Sequence, residues 1–376
     1  MNPVADRLEA HFTQWLRTLE SDARLGSPGD TGDPDGPHGL PRSSAPVRYG
    51  EWEEADGHTR EVRMTRPEWM LNQLDAVLAL GDVITPDDVT VVAAPYELSL
   101  EGASIERAVE WLGASLISVG TSNTICPVPR LLDLIHRYRV TTLACPPQLA
   151  AELAALDEAA GRDPGASGVH TLIATRPAAP ERLRRIAAAW GASAFEIFST
   201  PSRPATATPC GAGRLHLPED RFDVSLRSPA PGRIDSDGTR GELLLTARDP
   251  ESSTPPALPT GELVELRPSR TPCACGSGSR IVIPLGRVAD AVPTPRGPVS
   301  QVDVEHCLFT SPEPQGRVTS TVEDGRLSVA FAVRSGTDRD HAALQELVLS
   351  RLGPAVELVP FVEEIAEADT RARSSR

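Results

Sequence analysis

Short apolar runs alternate with segments of helical periodicity through the first half of the chain. The runs predict strands, and apolar residues that recur at every third or fourth position predict helices. The predicted strands cover residues 89–94, 115–119, 141–144 and 172–174, and the predicted helices cover residues 67–80, 101–111, 129–137, 148–158 and 180–190. Strands and helices that alternate at this spacing predict parallel βαβ units.

The pattern changes in the second half of the chain. Strands are predicted at residues 222–226, 241–246 and 263–266, then a helix at 299–308, strands at 317–321 and 327–333, a helix at 341–351 and a strand at 356–362. The prediction is an α/β fold in which a large domain with parallel sheets and a β-rich subdomain precedes a small α+β C-terminal domain. Two domains also suit a length of 376 residues, which is long for one core. Their predicted bounds are 47–285 and 286–366.

The two ends of the chain have a different character. Apolar residues at helical spacing, Leu8, Phe12, Trp15, Leu16 and Leu19, predict a one-sided helix within residues 1–25 that packs on the core. Residues 26–46 are rich in Gly, Pro, Ser and Asp, which predicts a flexible linker. Residues 367–376 are predicted to be a disordered tail.

The run at residues 194–202 is apolar and aromatic until it stops at Ser, Thr and Pro. This pattern predicts a buried strand that ends in a loop, and α/β sheets place ligands at such strand ends. Glu196 lies in this run, and a carboxyl group at the mouth of an apolar pocket can serve as a general base. A cap or a pairing with an arginine is the alternative role for Glu196.

Charge and composition exclude some partners. The net charge is −15 and the pI is about 5.0, so nucleic acid and anionic membrane surfaces would be repelled. Neither a long apolar run nor a signal-peptide pattern is present, and we expect a soluble, cytoplasmic protein.

The chain contains no lysine, so all 37 basic residues are arginine. Arginine keeps its proton and cannot perform chemistry that needs a neutral amine.

Six cysteines are too few and too clustered to predict a disulfide framework in a chain of this size. Cys210 and His216, together with Cys273 and Cys275, could supply the four tetrahedral ligands of a zinc ion. Four protein ligands would close the site and make it structural. Scattered buried thiols and a surface histidine are the alternative interpretation.

An ordered set of motifs resembles the acyl-adenylate-forming superfamily, in its phenylacetate-CoA ligase branch. Residues 195–202 resemble the Tyr-Asp-x-Tyr-Gly-x-Ser-Glu strand and loop of that branch. The other matching segments, in order, are residues 96–102, 111–114, 141–147, 260–263, 286–290 and 296–297. The resemblance covers residues 46–370 and implies a ligase-like large domain, a small C-terminal domain and a possible homodimer. Some members of the branch hold a zinc ion in a similar Cys/His arrangement.

The resemblance also implies roles for individual residues around a small-molecule carboxylic or acyl substrate. Tyr96, Phe195, Phe198 and Ser199 fall on the substrate-binding wall, where hydrophobic core is the alternative for the apolar residues. Glu262 and Arg287 fall on nucleotide-binding positions, Glu262 replacing the family's ribose-binding Asp. Glu196 and Ser202 are the catalytic candidates, although Ser202 stands where the family has a magnesium-binding Glu.

Several parts needed for adenylation depart from the family. Residues 53–57, Glu-Glu-Ala-Asp-Gly, replace the phosphate-binding loop Ser-Gly-Thr-Thr-Gly, and their three carboxylates would repel ATP. The alternative is an ordinary β-hairpin with an Asp-Gly turn. Residues 174–176, Ala-Thr-Arg, replace the adenine-contacting Gly-Gly-Glu segment, and Ala289 replaces a hinge aspartate. The catalytic lysine would fall near Thr370, where no lysine is present.

These departures predict a ligase-fold enzyme for which ATP and magnesium are unlikely cofactors. Its expected chemistry is condensation, cyclisation or hydrolysis of a carboxylic or activated acyl compound. One alternative is an ATP-dependent aryl-CoA ligase with unusual active-site residues. Another is a non-catalytic binding or partner subunit.

Overall fold

The structure is a computed structural model that describes residues 46–53, 58–121, 124–200, 203–227, 234–235, 239–248, 256–267, 273–295, 297–311, 314–333 and 341–362. The N-terminal helix predicted within residues 1–25, nearly all of the predicted linker and the predicted tail lie outside these residues. In the part that is described, no helix is both long and apolar enough to cross a membrane.

The first unit is a five-stranded parallel sheet covered by helices on both faces. Its strands are β3 (Val89–Val92), β4 (Ser115–Ser118), β5 (Thr142–Cys145), β6 (Thr171–Ala174) and β7 (Ser193–Glu196), in the spatial order β4-β3-β5-β6-β7. The helices are α1 (Arg66–Leu80), α2 (Glu101–Leu112), α3 (Val128–Tyr138), α4 (Pro147–Ala159) and α5 (Pro180–Trp190). The predicted βαβ units are therefore present, with ends that differ from the predicted ones by a few residues.

Sequence signals at the helix ends explain where these elements begin and stop. Thr65 and Glu68 form a capping box at the start of α1, which satisfies backbone amides that have no partner within the helix. Gly113 and Gly191 end α2 and α5 in the left-handed conformation that glycine adopts without strain. One face of the sheet packs on α1 and α2, and the other packs on α3, α4 and α5.

The run at residues 194–202 is divided between two sheets, so the expected single buried strand was wrong. β7 is the edge strand of the parallel sheet, and its side chains alternate between exposed and half-buried positions. After Ile197, β8 (Phe198–Thr200) continues into an antiparallel sheet. The chain changes partners at Ile197, and this change depends on pairing with distant strands that local periodicity does not report.

The antiparallel sheet forms the β-rich part of the fold. Its spatial order is β12-β11-β13-β14-β15-β10-β9-β8. Besides β8, its strands are β9 (Arg203–Pro209), β10 (Leu215–His216), β11 (Phe222–Arg227), β12 (Ile234–Asp235), β13 (Arg240–Ala247), β14 (Leu258–Arg267) and β15 (Ile281–Arg287). Register places Glu262 of β14 opposite Arg287 of β15. Two residues singled out by the family resemblance are thereby brought side by side.

The C-terminal unit, residues 292–362, has an apolar cluster of its own that extends from Val292 to Val356. It contains α6 (Gln301–Leu308), α7 (His341–Leu352), and the strands β16 (Pro314–Glu323), β17 (Arg326–Val333) and β18 (Val356–Val362). β16 pairs with β17 antiparallel and β17 pairs with β18 parallel. The predicted domain boundary at residue 286 falls inside β15, a little before this cluster begins.

The segment aligned with the phosphate-binding loop joins two paired strands. β1 (Pro46–Glu53) and β2 (Thr59–Thr65) form an antiparallel hairpin, the alternative interpretation of this region. The connecting residues 54–57 lie outside the described residues, so the predicted carboxylate-lined loop stays a prediction.

The core beneath the parallel sheet provides a test of stability. Trp190 is fully buried at the end of α5 and donates a hydrogen bond from Nε1 to the Ala150 carbonyl oxygen at 3.0 Å. Trp190→Ala should lower the free energy of unfolding by about 3–5 kcal/mol because it leaves a large cavity. Trp111→Ala, on the 41% exposed ring of α2, is the control and should cost about 1 kcal/mol or less. Equal losses in urea titrations of the two variants would contradict this packing.

Candidate functional site

A cavity of about 610 Å³ lies where the parallel sheet, the antiparallel sheet and the C-terminal unit meet. Its volume is in the range of small-molecule sites. The lining residues that carry polar groups include Gln148, Thr175, Arg176, Arg182, Ser199, Thr200, Glu262, Arg287, Asp290, Ser300, Gln301, Thr319 and Ser320. Apolar wall is contributed by Ile197, Phe198, Leu285, Val302 and Val318, among others. The cavity thus occupies the carboxyl ends of the parallel strands, as the sequence predicts for the ligand edge.

An ion pair crosses one side of the cavity. Arg176 follows β6, and its Nη1 donates to Oε2 of Glu101, at the start of α2, over 2.8 Å. Glu101 is buried, and desolvation raises the pKa of its carboxyl group even though Arg176 acts in the opposite direction. Arg176 is the residue that replaces the Glu of the family's adenine-contacting segment. The charge at that position is therefore reversed and held in place by an acidic partner.

Glu262 presents a second carboxyl group to the same cavity. It is 8% exposed, and its side chain makes no hydrogen bond or ion pair with any described residue. Burial raises the pKa of this carboxyl group to about 8, although the positive charges of Arg176 and Arg287 lower it. A carboxyl group with a pKa near neutrality, inside a cavity, has the properties of a general acid–base group.

The structure gathers part of the predicted site and separates the rest. Phe198, Ser199, Glu262 and Arg287 all line the cavity. Tyr96, Phe195 and Glu196 are not among its lining residues, and Ser202 lies outside the described residues. Tyr96 packs beside α2 instead, where a side chain on Gly102 would meet its ring at 3.1 Å. Phe195 is 36% exposed on the edge strand β7.

Glu196 faces the C-terminal unit because of strand alternation. Successive side chains of β7 point to opposite faces, so Glu196 shares the face of Ala194, which packs against the cluster under α4 and α5. Burial, together with the negative charge of Glu305 in α6, raises the pKa of Glu196 to about 8. Of Glu196 and Glu262, whose carboxyl groups both have a raised pKa, Glu262 is the one that lines the cavity.

The four predicted metal ligands do come together. Cys210 directly follows β9, His216 lies in β10, and Cys273 and Cys275 precede β15. These are three neighbouring strands of the antiparallel sheet. Two tight turns carry the cysteines: the Gly213 amide donates to the Cys210 carbonyl and the Gly276 amide donates to the Cys273 carbonyl, each at 2.8 Å. The ligand atoms all lie within 4.8 Å of one another, so the cluster could hold a metal ion.

The distances between these atoms fit tetrahedral coordination. Bonds of about 2.3 Å to sulfur and about 2.0 Å to nitrogen put two sulfurs about 3.8 Å apart and a sulfur and a nitrogen about 3.5 Å apart. Sγ of Cys210 is 3.9 Å from Sγ of Cys273, and Sγ of Cys275 is 3.4 Å from Nε2 of His216. Nδ1 of His216 donates to the Ser279 carbonyl at 3.2 Å, which leaves the lone pair on Nε2 facing the thiols.

Comparisons with known proteins agree with this architecture. The 2-hydroxyisobutyryl-CoA ligase HCL, in its postadenylation state with R3-HIB-AMP, matches 87% of this chain and 72% of its own at 17% identity and a TM-score of 0.69. The same ligase in the thioesterification state with 2-HIB-AMP and CoA matches 88% and 73% at 19% identity and 0.58. The amide bond synthetase McbA from Marinactinospora thermotolerans matches 81% and 64% at 21% identity and 0.52.

The chain has the fold of the acyl-adenylate-forming ligases. No family model and no curated protein sequence matches it. Identities of this size establish the fold, which confirms the predicted α/β class and the ligase-like architecture, and leave the chemistry to the residues of the site.

Three polar residues in or beside the cavity wall are not indicated by any sequence motif: Arg182, Gln148 and Glu305. Arg182 shares the buried face of α5 with Ile186 and Trp190, at a spacing of four residues. Glu305 lies among buried apolar residues of α6 in the same way. A charged residue at an apolar position of a helix was the available signal.

The raised pKa of Glu196 leads to a test by pH. The native carboxyl group keeps its proton up to about pH 8, whereas an unfolded glutamate loses it near pH 4.3. Stability should therefore fall as pH rises from about 5 to about 8, by at most about 1.4 kcal/mol per unit for this group. Glu196→Gln should remove that contribution. The free energy of unfolding of the variant, relative to that of the unmodified protein, should therefore increase from about pH 5 to about pH 8. Urea titrations at each pH measure it.

Glu158→Gln, at an exposed position of α4, is the matched control and should leave the pH dependence of stability unchanged. A Glu196→Gln variant whose stability follows pH in parallel with the unmodified protein would show that the native carboxyl group is already ionised at neutral pH.

Proposed function

We propose that this protein is a ligase-fold enzyme that acts on a carboxylic or activated acyl compound without ordinary ATP-dependent adenylation. The reaction is a condensation, cyclisation or hydrolysis in the interdomain cavity. The observation that carries the proposal is the Arg176–Glu101 pair, which occupies the adenine-contacting position of the resembled family with charged groups of its own. The absence of any lysine, and hence of the family's catalytic lysine, supports it independently.

Three residues supply the chemistry in this proposal. Glu262 takes the proton from the attacking nucleophile and returns it to the leaving group, since its carboxyl group faces the cavity with a pKa of about 8. Arg176 and Arg287 flank Glu262 and provide fixed positive charge for the oxyanion that develops on the acyl carbon. Phe198 and Ile197 provide apolar wall for the acyl or aryl group.

Calorimetry and turnover assays test this directly. A panel of aryl-CoA thioesters should be converted equally with and without ATP and Mg²⁺, and titration with MgATP should give no binding heat. With Glu262 as the base, the rate should rise with pH, reach half its maximum near pH 8 and level off above that pH. Glu262→Gln should lower kcat by about 10²–10⁴-fold. Glu265→Gln, on the same strand but outside the cavity lining, is the control.

A second candidate is an ATP-dependent aryl-CoA ligase with unusual residues, and the comparisons favour it. HCL is seen with acyl-AMP compounds, and the chain keeps Glu262 and Arg287 beside each other where the family binds the nucleotide. Strict ATP dependence with AMP release would establish this candidate and overturn the first. Ligand binding without turnover in every assay would instead indicate a non-catalytic partner subunit.

We further propose that the Cys210, His216, Cys273 and Cys275 cluster holds a structural zinc ion. Three thiols and one imidazole are a donor set that zinc prefers, and four protein ligands leave no position open for substrate. Register also separates the cluster from the acid–base group. His216 lies opposite Ile281 at the start of β15, and Glu262 lies opposite Arg287 at its end, a span of about 20 Å at about 3.3 Å per residue.

Zinc removal should therefore affect folding before it affects binding. Cys273→Ser should lower the zinc content from about one per chain and destabilise the protein by several kcal/mol, since metal binding contributes folding free energy. Cys126→Ser, at a partly buried position outside the cluster, should change neither quantity. Elemental analysis and thermal melts measure both. Protein purified without chelator that contains far less than one zinc per chain would count against the site.

A further inference from the structure

A buried guanidinium group lies between the parallel-sheet unit and the C-terminal unit. Arg182 of α5 is 2% exposed, and its Nη1 donates to Oε1 of Glu305 at 2.6 Å. Its Nε donates to the Gly316 carbonyl at 2.8 Å, and its Nη2 donates to the Val318 carbonyl at 3.4 Å. Nη2 also donates to Oε1 of Gln148 at 3.0 Å. One side chain therefore binds a helix and a strand of the other unit.

The side chains that accept hydrogen bonds from Arg182 also have further hydrogen-bond partners. Glu305 is fully buried in α6, and Oε2 accepts the backbone amide of Ala179 from the parallel-sheet unit at 2.8 Å. Gln148 Oε1 accepts the Val318 amide at 2.8 Å, so a second backbone bond crosses between the units in the opposite direction. A buried pair with all its hydrogen bonds made is costly to separate, because opening would leave each charge without a partner.

The two ends of α6 are held as well. Near its start, Arg240 of β13 donates from Nη1 to Oδ1 of Asp303 at 3.0 Å and from Nη2 to the Pro298 carbonyl at 2.8 Å. Beyond its end, Arg185 of α5 lies 5.0 Å from the centre of the Phe309 ring and donates to the Phe309 carbonyl at 3.3 Å. The helix is thus attached to both sheets of the large domain.

The strand β16 lies against α4 and α5 with no room for a side chain at one point. A Cβ atom on Gly316 would lie 2.7 Å from Ile186 and 3.1 Å from Ala151. This close approach brings the Gly316 and Val318 carbonyls within reach of Arg182. The contact depends on shape as well as charge.

The structural comparisons point to one particular arrangement of the units. The same ligase, HCL, matches this chain with a TM-score of 0.69 in its postadenylation state and 0.58 in its thioesterification state, over the same share of the chain. The arrangement of this chain is closer to the first state, and the contacts around Arg182 are made in that arrangement.

We propose that the buried Arg182–Glu305 pair and the contacts around it fix the C-terminal unit over the cavity, so that this unit does not rotate between states as the protein works. Arg182, Gln148 and Val318 also line the cavity. Its wall is therefore permanent, and substrate enters with both units in place. The inference concerns the arrangement of the chain and stands whether or not ATP is used.

Hydrogen exchange of the ligand-free protein tests the proposal at two amides. The Ala179 and Val318 amides donate across the contact, to Glu305 and Gln148. A fixed unit should protect them as strongly as the amides of β5 and β6, since all would then exchange only through global unfolding. Exchange at Ala179 and Val318 more than about tenfold faster than in β5 and β6 would overturn the proposal.

A pair of arginine variants on one helix provides the control. Arg182→Met should accelerate exchange at Ala179 and Val318 by roughly a hundredfold or more relative to β5 and β6, because Glu305 is left buried without its partner. Arg184→Met, whose side chain is 73% exposed beside Glu181, should change neither amide. Should Arg182→Met fail to fold, Gln148→Ala removes two bonds of the contact and should accelerate the Val318 amide. Unchanged protection in a folded Arg182→Met or in Gln148→Ala would show that the contact does not hold the units together.

Discussion

The buried charge pair between Arg182 and Glu305 constrains everything around the cavity. Taking two charges out of water is costly, and attraction between them offsets that cost only when the remaining donors and acceptors are also satisfied. Here the carbonyls of Gly316 and Val318, the Gln148 side chain and the Ala179 amide meet that requirement. Gly316 and Val318 belong to β16 of the C-terminal unit, whereas Gln148 and Ala179 belong to the parallel-sheet unit. The pair is therefore stable only when both units are folded and in contact. Arg182, Gln148 and Val318 also line the cavity.

The charges around the cavity differ from the positive surroundings that bind the phosphates of a nucleoside triphosphate. The positive charge of Arg176 is directed to Glu101, and the nearby Glu262 stays without a hydrogen-bond partner in the described structure. Burial raises the pKa of both carboxyl groups, and the nearby positive charge of Arg176 lowers it. Glu101 begins α2, Arg176 follows β6 and Glu262 lies in β14. The fold brings these positions together in the lining of one cavity, so the departure of Arg176 from the resembled family changes the charge around Glu262.

The sequence alone predicted the features that depend on residues close together in the chain, and it did not predict those that depend on distant residues. Period and length predict β3 to β6 and the helices between them, because βαβ units bury apolar faces at fixed spacing. The Cys/His cluster was predictable because Cys273 and Cys275 stand close together and a matching Cys/His pair lies upstream. The change of sheet at Ile197 and the pairing of Arg182 with Glu305 were not, because each depends on residues more than a hundred positions apart or on strand pairing that composition does not encode. The role predicted for Glu196 stays a prediction, although this residue is not among those that line the cavity.

If the reaction forms no adenylate, its free energy limits the kind of acyl substrate that it can use. Joining a free carboxylate to an amine or an alcohol in water is unfavourable or close to balanced, and ligases drive it by cleaving ATP. The proposed reaction uses no ATP, and the chain has no lysine to stabilise an acyl phosphate. Such a reaction needs an acyl group that arrives already activated, such as a thioester. Cleaving that thioester bond releases the free energy that drives condensation or hydrolysis. The protein then has to provide only a group that transfers the proton and a positive charge near the carbonyl oxygen. Glu262 and its neighbours Arg176 and Arg287 supply these two things, and a cavity whose wall does not move is sufficient, since a single chemical step needs only one arrangement of the site.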